Sequence, residues 1–312
     1  MNRDRLHLFT ARLGLALCLA GTAACRAATA DLPPGLVLHY SFDQAPVTAT
    51  GAIADQSALH NNGRAAGTCW NATGKQGGAL DFGASNDCIT VANSGSLNLK
   101  KMTIAVWFKT AKSEAVQRRI VDKRAGRGYA LGIAGDYKNT QSRGRLVFTV
   151  NGRYFCSSDS VLTDGAWHHA VALCDGKEMS LYVDGVAQKS VTACPEEIAA
   201  NLDDLTIGMN KTNPEAQERG KSFDGSLDNL MIFNRALAAD EIKSLISAVD
   251  PSVGKQKFTK QQVAGRLQQL KLLHEEGLLT EKFYSEKVAE CEAAVEASQT
   301  TATTNAPAKP AK

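Results

Sequence analysis

Residues 164–191 read DGAWHHAVALCDGKEMSLYVDGVAQKSV, and their alternation decides the fold. Trp167, His169, Val171 and Leu173 fall on one side of an extended chain, with His168, Ala170, Ala172 and Cys174 on the other, which is the period of two that a strand imposes. Asp175-Gly176 breaks the run. Met179, Leu181 and Val183 then share one face. Asp184-Gly185 supplies the two positive φ angles of a type I′ hairpin, and a third strand is expected over Val186 to Val191.

Working outward, the chain keeps this rhythm of short alternating runs separated by turn residues, as all-β sandwiches do. Strands are expected at Leu36 to Asp43, at Gly78 to Phe82 paired with Cys88 to Val91, and at Met102 to Thr110. Others follow at Arg119 to Asp122, Tyr129 to Ile133, Leu146 to Val150, Tyr154 to Ser157 and Leu205 to Met209. A length of 312 residues with 44% hydrophobic and 21% charged residues describes a globular protein of two units plus tails. A net charge of +3 lacks the basic concentration of a nucleic-acid binder, so no nucleic-acid partner is expected.

Residues 1–30 read as a secretory signal: Arg3, Arg5 and Arg12 precede the apolar run Leu13 to Gly21, and Ala28-Thr29-Ala30 offers the small-x-small cleavage pattern. The alternative is a lipid anchor at Cys25, where Thr22-Ala23-Ala24-Cys25 resembles a lipoprotein box with Thr22 in place of its aliphatic residue. No run reaches the ~20 apolar residues of a membrane-spanning helix. The expected localisation is periplasmic, cell-surface or secreted.

The run DGAWHHAVALCDG with SLYVDG resembles the signature of bacterial laminin-G-like domains, in the concanavalin A-like lectin/glucanase superfamily. Three other stretches extend the likeness: Asp55-Gln56-Ser57 with Asn61-Asn62-Gly63, the strand MTIAVWFKT at 102–110, and FDGSLDNLMIFNRAL at 223–237. The resemblance implies a jelly-roll sandwich of two antiparallel sheets over 31–250, in which the motif residues are scaffold. A short helix over Ala238 to Ile246 should follow. Ala238 stands where the family carries a capping Ser, a loss of ~1 kcal/mol.

Residues 251–260 read as a polar linker. Val263, Leu267, Leu270 and Leu273 then recur at helical spacing, Gly277 supplies a stop, and Thr280 can cap a second helix with Phe283, Tyr284, Val288 and Cys291. Residues 267–283 resemble the short C-terminal module known as SHOCT, proposed in that family to mediate oligomerisation. A hairpin over 261–297 is too small to be comfortably stable alone, so assembly of several chains through it is expected. Residues 298–312 are low in complexity and expected to be disordered.

Paired-acid glycoside hydrolysis needs two carboxyl groups across the scissile bond, and the glucanase pattern E-x-D-x-x-E is missing: no Glu is followed two residues later by Asp. No catalytic residue is assigned. His168 and His169 are adjacent on a strand and point to opposite faces, so they cannot chelate one ion together. Calcium is a candidate at the sandwich rim, held by Asp43, Asp55, Asn61 and Asp228, because related folds place the closing strand beside the first. The alternative makes Asp55 and Asn61 turn caps and pairs Asp228 with a basic residue.

Export favours disulfides among Cys69, Cys88, Cys156, Cys174, Cys194 and Cys291. The expected bridges are Cys69–Cys88 and Cys156–Cys194. Trp70, Tyr137 and Tyr154 are the rings outside core positions, each a sugar platform or a loop anchor. The function expected is an exported, non-catalytic binding or adhesion module for a glycan or an envelope protein; the alternative is a polysaccharide-active hydrolase or lyase of the same fold.

Overall fold

The computed structural model describes residues 32–46, 49–83, 86–124, 127–136, 142–194, 196–210, 222–250, 260–285 and 287–289. The expectations placed on residues 1–30 with Cys25, on Tyr137, on 251–259, on Cys291 and on 298–312 lie outside them.

In chain order the strands are β1 (Leu36–Tyr40), β2 (Ala52–Ile53), β3 (Gly63–Ala66), β4 (Cys69–Asn71), β5 (Ala79–Phe82), β6 (Cys88–Val91), β7 (Met102–Lys109), β8 (Arg118–Arg124) and β9 (Gly128–Ile133). They continue as β10 (Arg145–Val150), β11 (Tyr154–Val161), β12 (Trp167–Cys174), β13 (Glu178–Val183), β14 (Val186–Ala187), β15 (Thr192–Ala193), β16 (Leu205–Ile207) and β17 (Gly225–Phe233). Helices α1 (Ala239–Val249) and α2 (Lys260–Glu275) follow. One sheet runs β14-β13-β12-β7-β17-β5-β4, with β1 also on β17 and β15 also on β13; the other runs β11-β10-β9-β8-β16-β6-β3-β2. Every pairing is antiparallel, and the two sheets make the expected sandwich.

The central stretch folds as read. β12 lies between β7 and β13, and Asp184 and Gly185 take φ 49° and 79° in the tight hairpin. Both faces of this strand are apolar because both are covered. Ala170, Ala172 and Cys174 enter the core between the sheets. Val171 and Leu173 join Ala105, Trp107, Met231 and Phe233 on the outer face, where α1 lays down Ile242, Leu245 and Ile246. Each such side chain, fully buried, contributes about 1.5–3 kcal/mol. Ala238 offers no capping hydroxyl; the Glu241 carboxylate instead accepts the Ala238 amide at 2.8 Å and is clamped by Arg235 at 2.6 and 2.8 Å.

Two strand expectations change. β5 and β6 do not pair with each other, since β5 joins β17 and β4 while β6 joins β3 and β16 in the opposite sheet. The third strand of the meander splits into β14 and β15. Between and beside them Gln188, Ser190 and Thr192 turn toward the edge of β11: Thr192 Oγ1 donates to the Phe155 carbonyl (2.8 Å), Ser190 Oγ accepts from Ser157 N (3.3 Å), and Gln188 Oε1 accepts from Asp159 N (2.8 Å). Alternate side chains of one segment thus satisfy the open backbone of an edge strand.

At the C-terminus α2 ends at Gly277, φ 72°, with Leu278 N donating to the Leu273 carbonyl at 2.9 Å, a left-handed helix stop. Thr280 Oγ1 accepts from Phe283 N, and residues 281–285 and 287–289 are helical. His274 stacks on Tyr284 at 4.5 Å, closing the hairpin. No helix among the described residues is long and apolar enough to cross a membrane.

Candidate functional site

One flank of β17 is shared by two short strands: β5 covers Gly225 to Leu227 and β1 covers Leu230 to Phe233. In the gap the register against β7 shifts between Asp228 and Met231, and Asn229 takes φ 47°. Asp228 sits opposite Trp107, which sits opposite His169, so the three form a row across the sheet. All three are buried, and Trp107 Nε1, His169 Nδ1 and Asp228 Oδ1 have no hydrogen-bond partner among the described residues. The His169 ring packs on Trp107 at 5.0 Å, and burial lowers its pKa to about 4, keeping it neutral.

A glycine-rich loop, 74–78, closes over Asp228 and joins it to Asp43. Asp228 Oδ2 accepts the Gln76 amide at 2.9 Å, and Asp43 Oδ1 accepts the Gly78 amide at 3.3 Å. The loop tolerates no side chain at two points: a Cβ on Gly77 would lie 1.9 Å from Asp43 Oδ1, and one on Gly74 2.2 Å from the Gly78 carbonyl oxygen. Lys75 from the same loop reaches over the Trp107 ring at 4.7 Å and pairs with Asp250, the C-cap of α1, rather than with Asp228. Burial, reinforced by the Asp43 charge, pushes the Asp228 carboxyl up to about 7. A buried acid with one free oxygen, an exposed second acid beside it and backbone around both can take a proton or a hard cation.

Asp55 and Asn61 belong elsewhere. Asp55 Oδ1 accepts His39 N (2.8 Å) and Ser57 N (2.9 Å), while Oδ2 accepts Ser57 Oγ (2.6 Å) and Asn61 N (2.7 Å). Asn61 donates to the Val37 carbonyl (2.7 Å) and accepts from Ser94 (2.8 Å). The Asp55 oxygens are taken up by its own loop and by β1, as the turn-cap alternative has it, and the Asn61 side chain ties that loop to β1 and to Ser94. Of the four residues expected to hold calcium, the fold sets Asp43 beside Asp228 and keeps Asp55 and Asn61 apart from them in separate hydrogen bonds.

A cleft of about 540 Å³ opens at the end of the sandwich where β12 and β17 finish and β7 begins. Ser96, Asn98, Lys101, Glu197 and Asn234 line it beside Val37, Leu59 and Leu99. Lys100 pairs with Glu197 at 3.0 Å, and Leu59 is left 48% exposed at the rim. No motif announced this cleft, because its lining comes from six separate chain segments.

The histidine pair divides as its strand requires. His168 Nδ1 meets Asp184 Oδ2 at 2.8 Å and Nε2 meets Asp164 Oδ1 at 3.1 Å, while His169 packs on Trp107. Trp70 donates Nε1 to the Phe42 carbonyl at 2.8 Å, and Tyr154 packs on the core under Arg153, so both rings anchor their surroundings.

Both expected disulfides are corrected. Cys69 is exposed on β4, Cys88 is buried on β6 in the other sheet, and both thiols are free, as are Cys156, Cys174 and Cys194. β13 lies between Cys174 and Cys194: Cys174 pairs with Met179 on one side, and on the other Cys194 follows β15 directly, its N–H donating to the Lys177 carbonyl.

A two-sheet antiparallel sandwich with a helix packed on one outer face defines a lectin-like jelly roll. The chain belongs to the concanavalin A-like lectin/glucanases superfamily, whose laminin-G-type model matches residues 82–243, more than half its length. No curated protein matches the sequence. Among solved structures, the chain is similar to the binding domain of Paraclostridial Mosquitocidal Protein 1, with TM-score 0.54, 17% identity, and coverage of 69% of this chain and 52% of that one. It is similar to domain 4 of AbnA, a GH43 extracellular arabinanase from Geobacillus stearothermophilus in complex with arabinotriose, with TM-score 0.50, 17% identity, and coverage of 68% and 98%. It is also similar to the binding domain of botulinum neurotoxin DC in complex with rat synaptotagmin II, with TM-score 0.52, 15% identity, and coverage of 69% and 52%. The chain spans about half the length of the toxin binding domains it matches. These likenesses establish the fold.

Proposed function

We propose that the protein is an exported, non-catalytic binding module that takes an oligosaccharide in the end cleft. The cleft carries this reading: about 540 Å³ lies within the range of small-molecule sites, and its wall alternates hydrogen-bonding groups with aliphatic ones, as a ring of hydroxyls with an apolar face requires. The arabinotriose bound by AbnA domain 4 supports a saccharide, and the toxin domain bound to synaptotagmin II supports a protein surface as the rival ligand. Calcium at Asp43 and Asp228 serves as a brace of the β1–β17 seam, the buried Asp228 oxygen being its innermost donor. Chains associate through the C-terminal hairpin, where Leu272, Leu278 and Phe283 are 54%, 67% and 44% exposed.

The alternative, a polysaccharide-active enzyme, finds one supporting feature: a carboxyl at about 7 beside a second carboxylate is the pairing used for acid-base cleavage. Asp228 has no exposed surface, so a glycosidic oxygen cannot reach it. A glycan array decides the ligand. Binding that is lost in Lys101→Glu with the fold intact supports the cleft. A blank array combined with capture of an envelope protein transfers the function to a protein ligand, and reducing-sugar release abolished by Asp228→Asn establishes the enzyme.

A further inference from the structure

Lys123 is a buried lysine. It lies on β8 opposite Tyr129 of β9 and is 1% exposed. Its ammonium meets three oxygens: the Asp203 carbonyl at 2.6 Å, Asn93 Oδ1 at 2.8 Å and Asn201 Oδ1 at 3.3 Å. An ammonium has three N–H groups, and these acceptors use all of them. They come from two segments, residues 92–101 between β6 and β7 and residues 196–204 before β16. Around the ammonium the two segments are bonded to each other, Asn201 N donating to Asn98 Oδ1 at 3.1 Å and Asn93 N to Asp204 Oδ1 at 2.9 Å. Asn201 Nδ2 returns to the strand, donating to the carbonyls of Lys123 (3.1 Å) and Arg127 (3.2 Å); Gly128 leaves room for it, since a Cβ there would lie 2.7 Å from that nitrogen. Tyr129 adds a second support, its hydroxyl donating to the Leu97 carbonyl at 3.2 Å. Taking an ammonium out of water is unfavourable, and burial lowers the Lys123 pKa although the Asp203 and Asp204 charges oppose that shift. An apolar side chain would fill the same space without that penalty, so what the lysine adds is the fixed placement of its three acceptors.

We propose that Lys123 is a positioning residue of the end cleft, tying together from beneath the two segments that form most of its wall. Of the eleven residues that line the cleft, six lie in 92–101 and Glu197 lies in 196–204, while Lys123 is not among them. At the surface the same segments meet in the Lys100–Glu197 pair, whose side chains are 72% and 66% exposed, so water and salt screen it. The buried ammonium is a tie that solvent does not weaken. Without it Asn93, Asn201 and Asp203 lose their common donor, and Asn98 and Glu197 are free to shift relative to each other. A ligand then has to order both segments as it binds, which lowers its affinity. The effect on a ligand rests on the reading of the cleft above; the tie between the segments does not.

The test follows amide hydrogen exchange in the full chain, wild type against Lys123→Met, which keeps the length of the side chain and removes its charge. The expected result is exchange faster by roughly 10- to 100-fold across residues 92–98 and 199–204, the loss of hydrogen bonds to a charged group, with β7 and β12 protected as in the wild type. Asn201→Ala removes one of the three acceptors and should give the same regional pattern more weakly; it decides the matter if Lys123→Met does not fold. Exchange unchanged in both segments, or raised evenly through β7 and β12, overturns the tie. The same proteins are then applied to an oligosaccharide array. The glycan that the wild type captures best should bind the variant roughly tenfold more weakly, and at saturation it should restore the protection of both segments, because the ligand then does the ordering. Loosened segments with undiminished capture, or protection that saturating glycan does not restore, overturns the positioning role. An array blank for the wild type, with the segments loosened in the variant, overturns the cleft reading alone.

Discussion

Asp184 holds His168 across the β12–β13 hairpin, Oδ2 to Nδ1 at 2.8 Å, while its other oxygen accepts the His169 amide at 2.8 Å. One carboxylate, itself at φ 49°, thus fixes the turn and both histidines. Asp184→Ala removes two charge-assisted hydrogen bonds and the short polar side chain that makes the left-handed conformation tolerable, and is expected to cost about 2–4 kcal/mol in denaturant unfolding. Asp184→Asn keeps the backbone bond and the tolerance for this conformation, so it should cost less than half as much; equal losses would contradict the placement.

The same contact raises the His168 pKa, chiefly through the Asp184 hydrogen bond. A group titrating higher in the fold than in the unfolded chain stabilises fully below its unfolded value of 6.5, and that stabilisation fades as pH rises through the folded value. Histidine NMR titration should place His168 above 6.5 and return it toward 6.5 in Asp184→Asn.

Asp228 and His169 oppose each other in acid. The Asp228 carboxyl titrates at about 7 in the fold against 3.8, so its contribution to stability is present below about pH 4 and lost as pH rises to 7. His169 titrates at about 4 against 6.5, so its contribution is present above 6.5 and lost as pH falls to 4. In chelator, the wild-type melting point should change little between pH 4 and 7, because the two slopes offset. Asp228→Asn should leave the His169 slope alone, with stability falling on acidification. Parallel profiles for the two proteins would refute the buried, raised carboxyl.

Calcium at the Asp43–Asp228 pair must favour the ionised acid, so its effect grows above pH 7. With ~10 mM calcium, on the order of 100 times a Kd of ~10⁻⁴ M, the melting point at pH 8 should rise by roughly 5–10 °C. Asp43→Asn and Asp228→Asn should each remove most of that shift, and Asp55→Asn should not. A shift unaffected by either of the first two variants would move the ion elsewhere.

Leu272, Leu278 and Phe283 leave apolar surface on the C-terminal hairpin. The full chain should scatter light as an oligomer at micromolar concentration, and a chain ending at Asp250 as a monomer. Two monomers would mean that the hairpin assembles nothing.

β13 could be read directly from its alternation, and β7 and β12, apolar on both faces because both are covered, from short apolar runs bounded by turn residues. The β5 and β6 partnership could not, since nothing local says that a short loop carries the chain from one sheet to the other. The acids at Asp55 and Asp43 look alike in sequence. Only the fold shows the first saturated by four donors from His39, Ser57 and Asn61, and the second set beside an acid with a free oxygen. Likewise the place of Cys194 beside β13 depends on β15 folding back along that strand, which the split of an expected single strand concealed.

That split also matters to crowding. The row Gln188, Ser190 and Thr192 occupies positions that a foreign strand would need on β11, so an unrelated chain meeting this border finds its docking sites already taken. A sandwich guarded in this way can be displayed at high density, many copies side by side, without zipping into fibrils from this border.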